Sequence, residues 1–419
     1  MKQSQLFQPQ FAPLTGTATP ATELDIARVT RGLVDMIPKE EFLRKLQTGE
    51  RMRVYIGADP TRPDLHIGHA VILRALRGLQ DLGHEVVFLI GDFTGRIGDP
   101  TGKDAARTAL STEQVMANAE TYREQVQKII DFSDSAKTPA IMAFNADWLG
   151  KLSFEDVIQL ASQFTVQQML ERDMFENRMK DGQPIYVHEF FYPIMQGYDS
   201  VAMDVDVEVG GTDQLFNMLA GRSLLKTATG KEKIVLTFEL LLGLDGRKMS
   251  KSYDNYVGIN DAPNEMYGKL MSLADELIPS YWKLCTDVSD AEIESVKADL
   301  ANGVLHPRDA KMNLARAIVE ICHDIAAAQA AQDAFVSQFQ KKERPDDIPE
   351  VRVAGELNAV DLVVNAGCAN SKGEARRLIE QGGVKLNDEK LADITATVSV
   401  NSGDVLQVGK RRFAKLIVE

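Results

Sequence analysis

Residues 53–93, RVYIGADPTRPDLHIGHAVILRALRGLQDLGHEVVFLIGDF, decide the fold class of this chain. RVYIGAD is a short β-rich run, and PTRPDL after it is a loop punctuated by proline. Val71, Ala75, Leu76, Leu79 and Leu82 then recur at helical spacing, and Gly83 is a good helix stop. EVVFLIGDF follows, a continuous apolar run of the kind buried on both faces of a parallel sheet. The whole reads as one βαβ unit and predicts a doubly wound α/β domain. In open sheets of that kind ligands collect beyond the carboxyl ends of the strands, which directs attention to the loops 58–69 and 91–103.

Outward from this unit, the start MKQSQLFQPQFAPLTGTATP lacks the basic head and apolar run of a secretory signal, and reads as a loose arm of a cytoplasmic protein. Residues 151–181 read as helical and charged. VDVEVGGTDQ at 205–214 reads as a strand running into a Gly-Gly turn, and IVLTFELLLGLDG approaches the loop RKMSKS. From about Ala262 to Lys342 the pattern is helical, with a long Ala-rich amphipathic stretch. KKERPDDIPE, charged and carrying two prolines, reads as a linker before a compact segment with one basic helix, SKGEARRLIEQ, a Gly-Gly pair and short β-like runs. The expected boundaries are 1–245, 246–341, 342–350 and 351–419.

At 419 residues and 44% hydrophobic content the chain can bury a sizeable core, and no apolar stretch is long enough to cross a bilayer. A net charge of -14 argues against indiscriminate coating of nucleic acid, since that affinity comes from neutralising phosphates. The charge is uneven: residues 351–419 carry ten Lys/Arg and nine Asp/Glu, so the tail is +1 and the remainder -15. A local RNA contact in the tail stays open. Cys285, Cys322 and Cys368 are odd in number and far apart, which suits thiols in a reducing compartment better than disulfides or a metal site.

The loop DPTRPDLHIGH puts His66 and His69 three apart where a helix begins, beside free backbone amides and the positive end of the helix dipole. That setting suits an anion such as a triphosphate; a purely structural cap is the alternative. No third ligand is spaced for zinc. KMSKS, Lys248–Ser252, places two lysines in a polar loop that in isolation could simply be solvated. GDPTGK at 98–103 mimics a phosphate-binding P-loop, but Ile97 stands where its first glycine belongs and Asp104 where Ser or Thr belongs.

HIGH near a βαβ unit with KMSKS some 180 residues later matches the paired signatures of class I aminoacyl-tRNA synthetases. Within that class the chain resembles the bacterial-type tyrosyl-tRNA synthetases from about Glu23 to its end, through YIGADPTRPDLHIGH, IGDPTGK, FYPIMQGYDS, VGGTDQLFN and GRKMSKS. The resemblance implies a Rossmann-like parallel-sheet catalytic domain, a helical anticodon-side domain and a small α+β RNA-binding tail. It also implies a homodimer that takes L-tyrosine, ATP with Mg2+, and tRNA(Tyr). Tyr55 and Asp199 would meet the phenol; Asp99, Tyr192, Gln196 and Gln214 would hold the rest of tyrosine. Asp59, His66, Gly68, His69, Gly211, Asp213 and Lys251 would contact ATP. Thr61, His66, His69, Lys103, Arg107, Lys248 and Lys251 would stabilise the pyrophosphate as it leaves, and no residue is assigned as a metal ligand. In the tail, Lys372, Arg376, Arg377 and Lys385 would grip RNA. Glu208 and Ile56 depart from the Gln and Cys of the best-known relatives. Two other readings share these motifs: a tryptophanyl-tRNA synthetase, and an RNA-binding regulator built on a retired synthetase.

Overall fold

The computed structural model describes residues 6–61, 64–99, 111–249, 253–337, 348–409 and 412–418, apart from the side chain of Asp173. Lys103, Arg107, Lys251 and most of the expected linker lie outside the described residues. The chain forms two compact units, Met1–Gln332 and Asp333–Glu419.

The first unit is built on a six-stranded sheet. Its strands are β1 (Leu33–Ile37), β2 (Arg53–Ala58), β3 (Glu85–Ile90), β4 (Ile141–Phe144), β5 (Val207–Gly211) and β6 (Ile234–Phe238). Their order across the sheet is β1-β6-β5-β2-β3-β4. Every pairing is parallel except that of β1 with β6. The unit expected at 53–93 is present: β2, helix α1 (Ile67–Leu82) and β3, with Tyr55 opposite Val87. Gly83 closes α1 at φ 99°, a left-handed conformation that a side chain would strain. Val86–Ile90 are all buried, which is why that strand reads as unbroken apolar sequence. Each such side chain contributes about 1.5–3 kcal/mol by leaving water.

Helices α2 (Phe191–Met203) and α3 (Leu215–Thr229) lie against each other at glycines: a Cβ on Gly197 would sit 3.1 Å from the Cα of Gly221. Residues 151–181 form three short helices, Phe154–Ala161, Val166–Leu170 and Asp173–Lys180. Beyond the sheet come Pro263–Leu270, Ile278–Cys285, Asp290–Ala301, Pro307–Cys322 and Ile325–Phe335.

Two expectations need correction. The N-terminal arm is not loose from Leu6 onward. Leu6 is buried, its carbonyl accepts from the Tyr198 hydroxyl at 2.9 Å, and Gln10 N–H donates to Ala202 O at 2.7 Å. Phe11 meets Trp148 edge-on, with ring centroids 6.4 Å apart. A few apolar side chains in a polar segment suffice once a complementary surface exists, and local sequence does not show that surface. Nor do Gly210 and Gly211 make a turn. They end β5 in extended backbone, and the turn is the 3-10 segment Thr212–Gln214 after them.

The second unit holds a sheet ordered β10-β9-β12-β13-β7 and a separate β8–β11 pair. The strands are β7 (Glu350–Val353), β8 (Glu356–Asn358), β9 (Val384–Leu386), β10 (Glu389–Lys390), β11 (Thr397–Ser399), β12 (Val405–Val408) and β13 (Arg412–Val418). Its own core includes Leu362, Val363, Ala375, Ile379, Leu406 and Leu416. The basic helix α4 spans Lys372–Glu380 and is capped by Ser371, whose side chain accepts from Glu374 N–H. Among the described residues no helix is long and apolar enough to cross a membrane.

Candidate active site

From β2 the chain builds the sheet in one direction through β3 and β4 and in the other through β5 and β6, so the topology reverses between β2 and β5. Open parallel sheets hold ligands at that point, beyond the strand ends. A cavity of about 190 Å³ lies there. Tyr55, Asp99, Tyr192, Gln196, Asp199 and Gln214, six residues set apart in the sequence, all line it, together with Asp59. Tyr192, Gln196 and Asp199 share one face of α2, as their spacing requires.

Tyr55 and Asp199 are buried in its wall. The Tyr55 hydroxyl is 3.2 Å from Ser200 Oγ. Burial, then the negative charges of Glu208 and Asp199, push that phenol well above its ordinary range, so it stays a neutral hydroxyl. Asp199 Oδ1 accepts from Trp148 Nε1 at 2.6 Å and Oδ2 from Asn145 Nδ2 at 3.3 Å. Burial raises the Asp199 carboxyl strongly, and these two donors only partly oppose it. Trp148 and Asn145 escaped sequence reasoning. Asn145 directly follows β4 and is thus at a carboxyl strand end, the one signal that could have marked it.

Asp59, at the end of β2, accepts from Thr94 Oγ1 at 2.7 Å and from the Tyr192 hydroxyl at 2.8 Å. A Cβ at Gly91 would fall 1.9 Å from Asp59 Oδ1, so this carboxylate needs the glycine. Asp59 faces the cavity and is partly exposed there, but the protein around it excludes most water, and burial pushes its carboxyl up to about 7. Asp99 accepts from Gln214 Nε2 at 2.7 Å, with Arg172 at 3.4 Å. Arg172 is itself buried between the rings of Phe175 and Phe216. No sequence signal distinguished it from a surface arginine.

His66 caps α1, and its backbone N–H donates to His69 Nδ1 at 3.2 Å. That bond requires a bare Nδ1 and so places the proton of neutral His69 on Nε2. The rings lie 3.9 Å apart between centroids. Burial first, then repulsion from His69 and from Lys248, hold His66 down to about 2; burial lowers His69 to about 4. The pair is therefore neutral at physiological pH and offers N–H donors without charge. Gly68 keeps space for it, since a Cβ there would lie 2.9 Å from His66 Nδ1. Thr61 turns the chain just after β2, its N–H donating to Asp59 O at 2.8 Å.

Lys248, which opens the second signature loop, comes to the same place. Leu242 and Lys248 form an antiparallel bridge, and exposed Lys248 brings its Nζ to 3.4 Å from Asp213 Oδ2. Asp213 follows Gly211, where a Cβ would lie 2.8 Å from its carboxylate. Neutral donors, a helix N-terminus and a mobile-length cationic side chain thus converge beside an acidic cavity. This arrangement can hold a polyanion against a cationic, hydroxyl-bearing small molecule. Among the described residues no group of three or more His, Cys, Asp or Glu could hold a metal ion. In the second unit Lys372, Arg376, Arg377 and Lys385 are exposed, with Lys372 Nζ 2.7 Å from Asp361.

Comparison with known proteins gives concordant results. Residues 47–340 match the family of tRNA synthetases class I (W and Y), and residues 340–413 match the tyrosine–tRNA ligase SYY-like C-terminal domain. A tyrosine–tRNA ligase of Thermotoga maritima is 49% identical over 399 residues, covering 95% of this chain and 98% of that protein. One from Shewanella oneidensis is 51% identical over 394 residues, covering 93% and 98%. Among solved structures, a C-terminally truncated mitochondrial tyrosyl-tRNA synthetase of Coccidioides posadasii matches with a TM-score of 0.59 at 26% identity, covering 75% of this chain and 92% of that one.

Proposed function

The chain belongs to the class I tRNA synthetases of the W and Y family, and from that membership we infer that it is a tyrosine–tRNA ligase whose tyrosine site is the cavity between β2 and β5. It joins tyrosine to ATP as tyrosyl-AMP, releasing pyrophosphate, then passes the tyrosyl group to the 3′-terminal adenosine of tRNA(Tyr). The observation that carries the choice of tyrosine is Tyr55 and Asp199 buried together in the cavity wall. Polar groups committed to a substrate hydroxyl are left unpaired by a bare ring, which rejects phenylalanine. Tryptophan has no hydroxyl for the pair.

In the first reaction the tyrosine carboxylate attacks the α-phosphorus of ATP. It is already ionised at pH 7, so no general base is needed; the requirement is alignment and charge stabilisation. Asp99, Tyr192, Gln196 and Gln214 orient the amino acid. His69 Nε2–H and the α1 amides act as neutral donors to phosphate oxygens, with Thr61, Gly68, Gly211 and Asp213 shaping the nucleotide site. Lys248 supplies charge, as do Lys103, Arg107 and Lys251. Magnesium carried on the ATP phosphates would neutralise part of their charge. The exposed Lys372, Arg376, Arg377 and Lys385 contact the tRNA backbone. The protein works in the cytoplasm as a homodimer, for which the exposed Phe154, Ile158 and Val187 offer apolar surface. ATP–pyrophosphate exchange with each of the twenty amino acids tests the reading: exchange only with tyrosine is expected, and equal exchange with tryptophan would overturn it.

A further inference from the structure

Lys233 has no exposed surface, and neither motif spacing nor the reaction above accounts for it. Its ammonium forms an ion pair with Glu208, which is 2% exposed, and donates to Ser200 Oγ at 2.8 Å. The fold makes room for it: a Cβ at Gly221 would lie 2.6 Å from Lys233 Nζ. Glu208 lines the cavity, and its other oxygen, Oε1, accepts from Gln196 Nε2 at 2.8 Å. Ser200, the other partner of Lys233, is the group next to the Tyr55 hydroxyl.

An ionised carboxylate only accepts hydrogen bonds, so Gln196 can meet Glu208 only through its NH2 end. A glutamine at 208 could donate as well as accept, and would leave the Gln196 amide free to turn over. A buried carboxylate stays ionised only beside a buried cation, because an unpaired charge there costs several kcal/mol. We propose that the Lys233–Glu208 pair is a positioning device for substrate selection: it locks the Gln196 amide so that its carbonyl oxygen faces the cavity as an acceptor for the ammonium group of the amino acid. Glu208 and Lys233 touch neither reacting atom; they reach the ammonium end of the site through Gln196, and the Tyr55 hydroxyl through Glu208 itself and Ser200. Burial lowers the Lys233 ammonium and Glu208 raises it again, as such a mutual dependence requires. The proposal rests on the reading of the cavity as the tyrosine site.

The test compares ligands with and without the ammonium. In the full-length protein, Glu208→Gln combined with Lys233→Met removes both charges and leaves no buried ion unpaired. We expect KM for tyrosine in ATP–pyrophosphate exchange to rise about tenfold, the loss typical of a hydrogen bond to a charged group. The inhibition constant of 3-(4-hydroxyphenyl)propionate, which lacks the ammonium and meets only the Tyr55 end of this network, should move clearly less than KM does. Adding Gln196→Met to the pair variant should cause no further rise in KM. Equal changes for both ligands would make the pair merely structural, and additive effects with Gln196→Met would place its action elsewhere; either overturns the proposal. Should the double variant fail to fold, Glu208→Gln combined with Lys233→Gln, which again leaves no buried charge but keeps a polar end beside Ser200, must show the same split between ligands, and its absence would be equally decisive. No tyrosine-dependent exchange by the unmodified protein would remove the site reading itself, and the proposal with it.

Discussion

Two residues in the site shift in opposite directions, and each makes stability depend on pH with its own sign. His69 falls from 6.5 to about 4 because burial penalises its charged form. Between those values the unfolded chain binds a proton that the folded one refuses, so this group's contribution to stability is lost as pH falls from 6.5 toward 4. His69→Asn should flatten that acid limb in urea titrations, and an unchanged slope would show that the ring is not buried neutral. Asp59 rises from 3.8 to about 7, and there the folded chain holds the proton that the unfolded one releases. Its effect is a decline in stability as pH climbs through that same interval. Asp59→Asn keeps an acceptor for Thr94 or Tyr192 and removes the penalty. The variant should therefore gain stability relative to the parent as pH rises to about 7, while binding of ATP weakens. A constant difference across that range would contradict the burial argument.

At the scale of elements, the site depends on how closely α2 approaches α3, because α2 carries Tyr192, Gln196 and Asp199. A Cβ at Gly197 would lie 3.1 Å from Gly221 Cα and 3.2 Å from Leu224 Cδ2. Backbone cannot yield as a flexible side chain can. Gly197→Ala should cost about 1–3 kcal/mol in urea denaturation and raise KM for tyrosine as α2 is displaced. Parental stability and KM would mean that the helices have slack. The loop of the second signature makes a different demand, since in the proposed reaction its lysines meet a charge that develops only in the transition state. Replacing Lys248 and Lys251 together by Ala should reduce kcat in pyrophosphate exchange on the order of 10²-fold or more, with little effect on KM for tyrosine. A loss expressed mainly in that KM would argue that these lysines bind tyrosine instead.

For the whole molecule, the first unit contains every described residue of the cavity, and the second has its own core. A chain stopped at about Pro345 should keep tyrosine-dependent exchange within about twofold and charge tRNA poorly, with a shallower salt dependence because phosphate contacts are gone. Equal charging by the shortened protein would take the tail out of the RNA contact. The sheet was legible from the sequence because a buried parallel strand must be apolar throughout and α1 must repeat at its helical period; Val86–Ile90 and Val71–Leu82 obey those rules without reference to anything distant. The HIGH and KMSKS loops were legible because phosphate chemistry needs particular side chains at fixed local offsets. The partners of those residues were not. Trp148 and Asn145 on Asp199, Arg172 on Asp99 and Lys233 on Glu208 lie 51, 54, 73 and 25 positions from the groups they hold. Their side chains satisfy no local rule, and the anchored arm at Leu6–Ala12 likewise depends on a surface made elsewhere. The sequence alone therefore determined the strands, the helix and the chemistry-bearing loops, where the physics is local. Which buried charges face each other, and so which tautomer, protonation state and amide orientation the substrate meets, was decided only when the tertiary fold removed water from groups far apart in the chain.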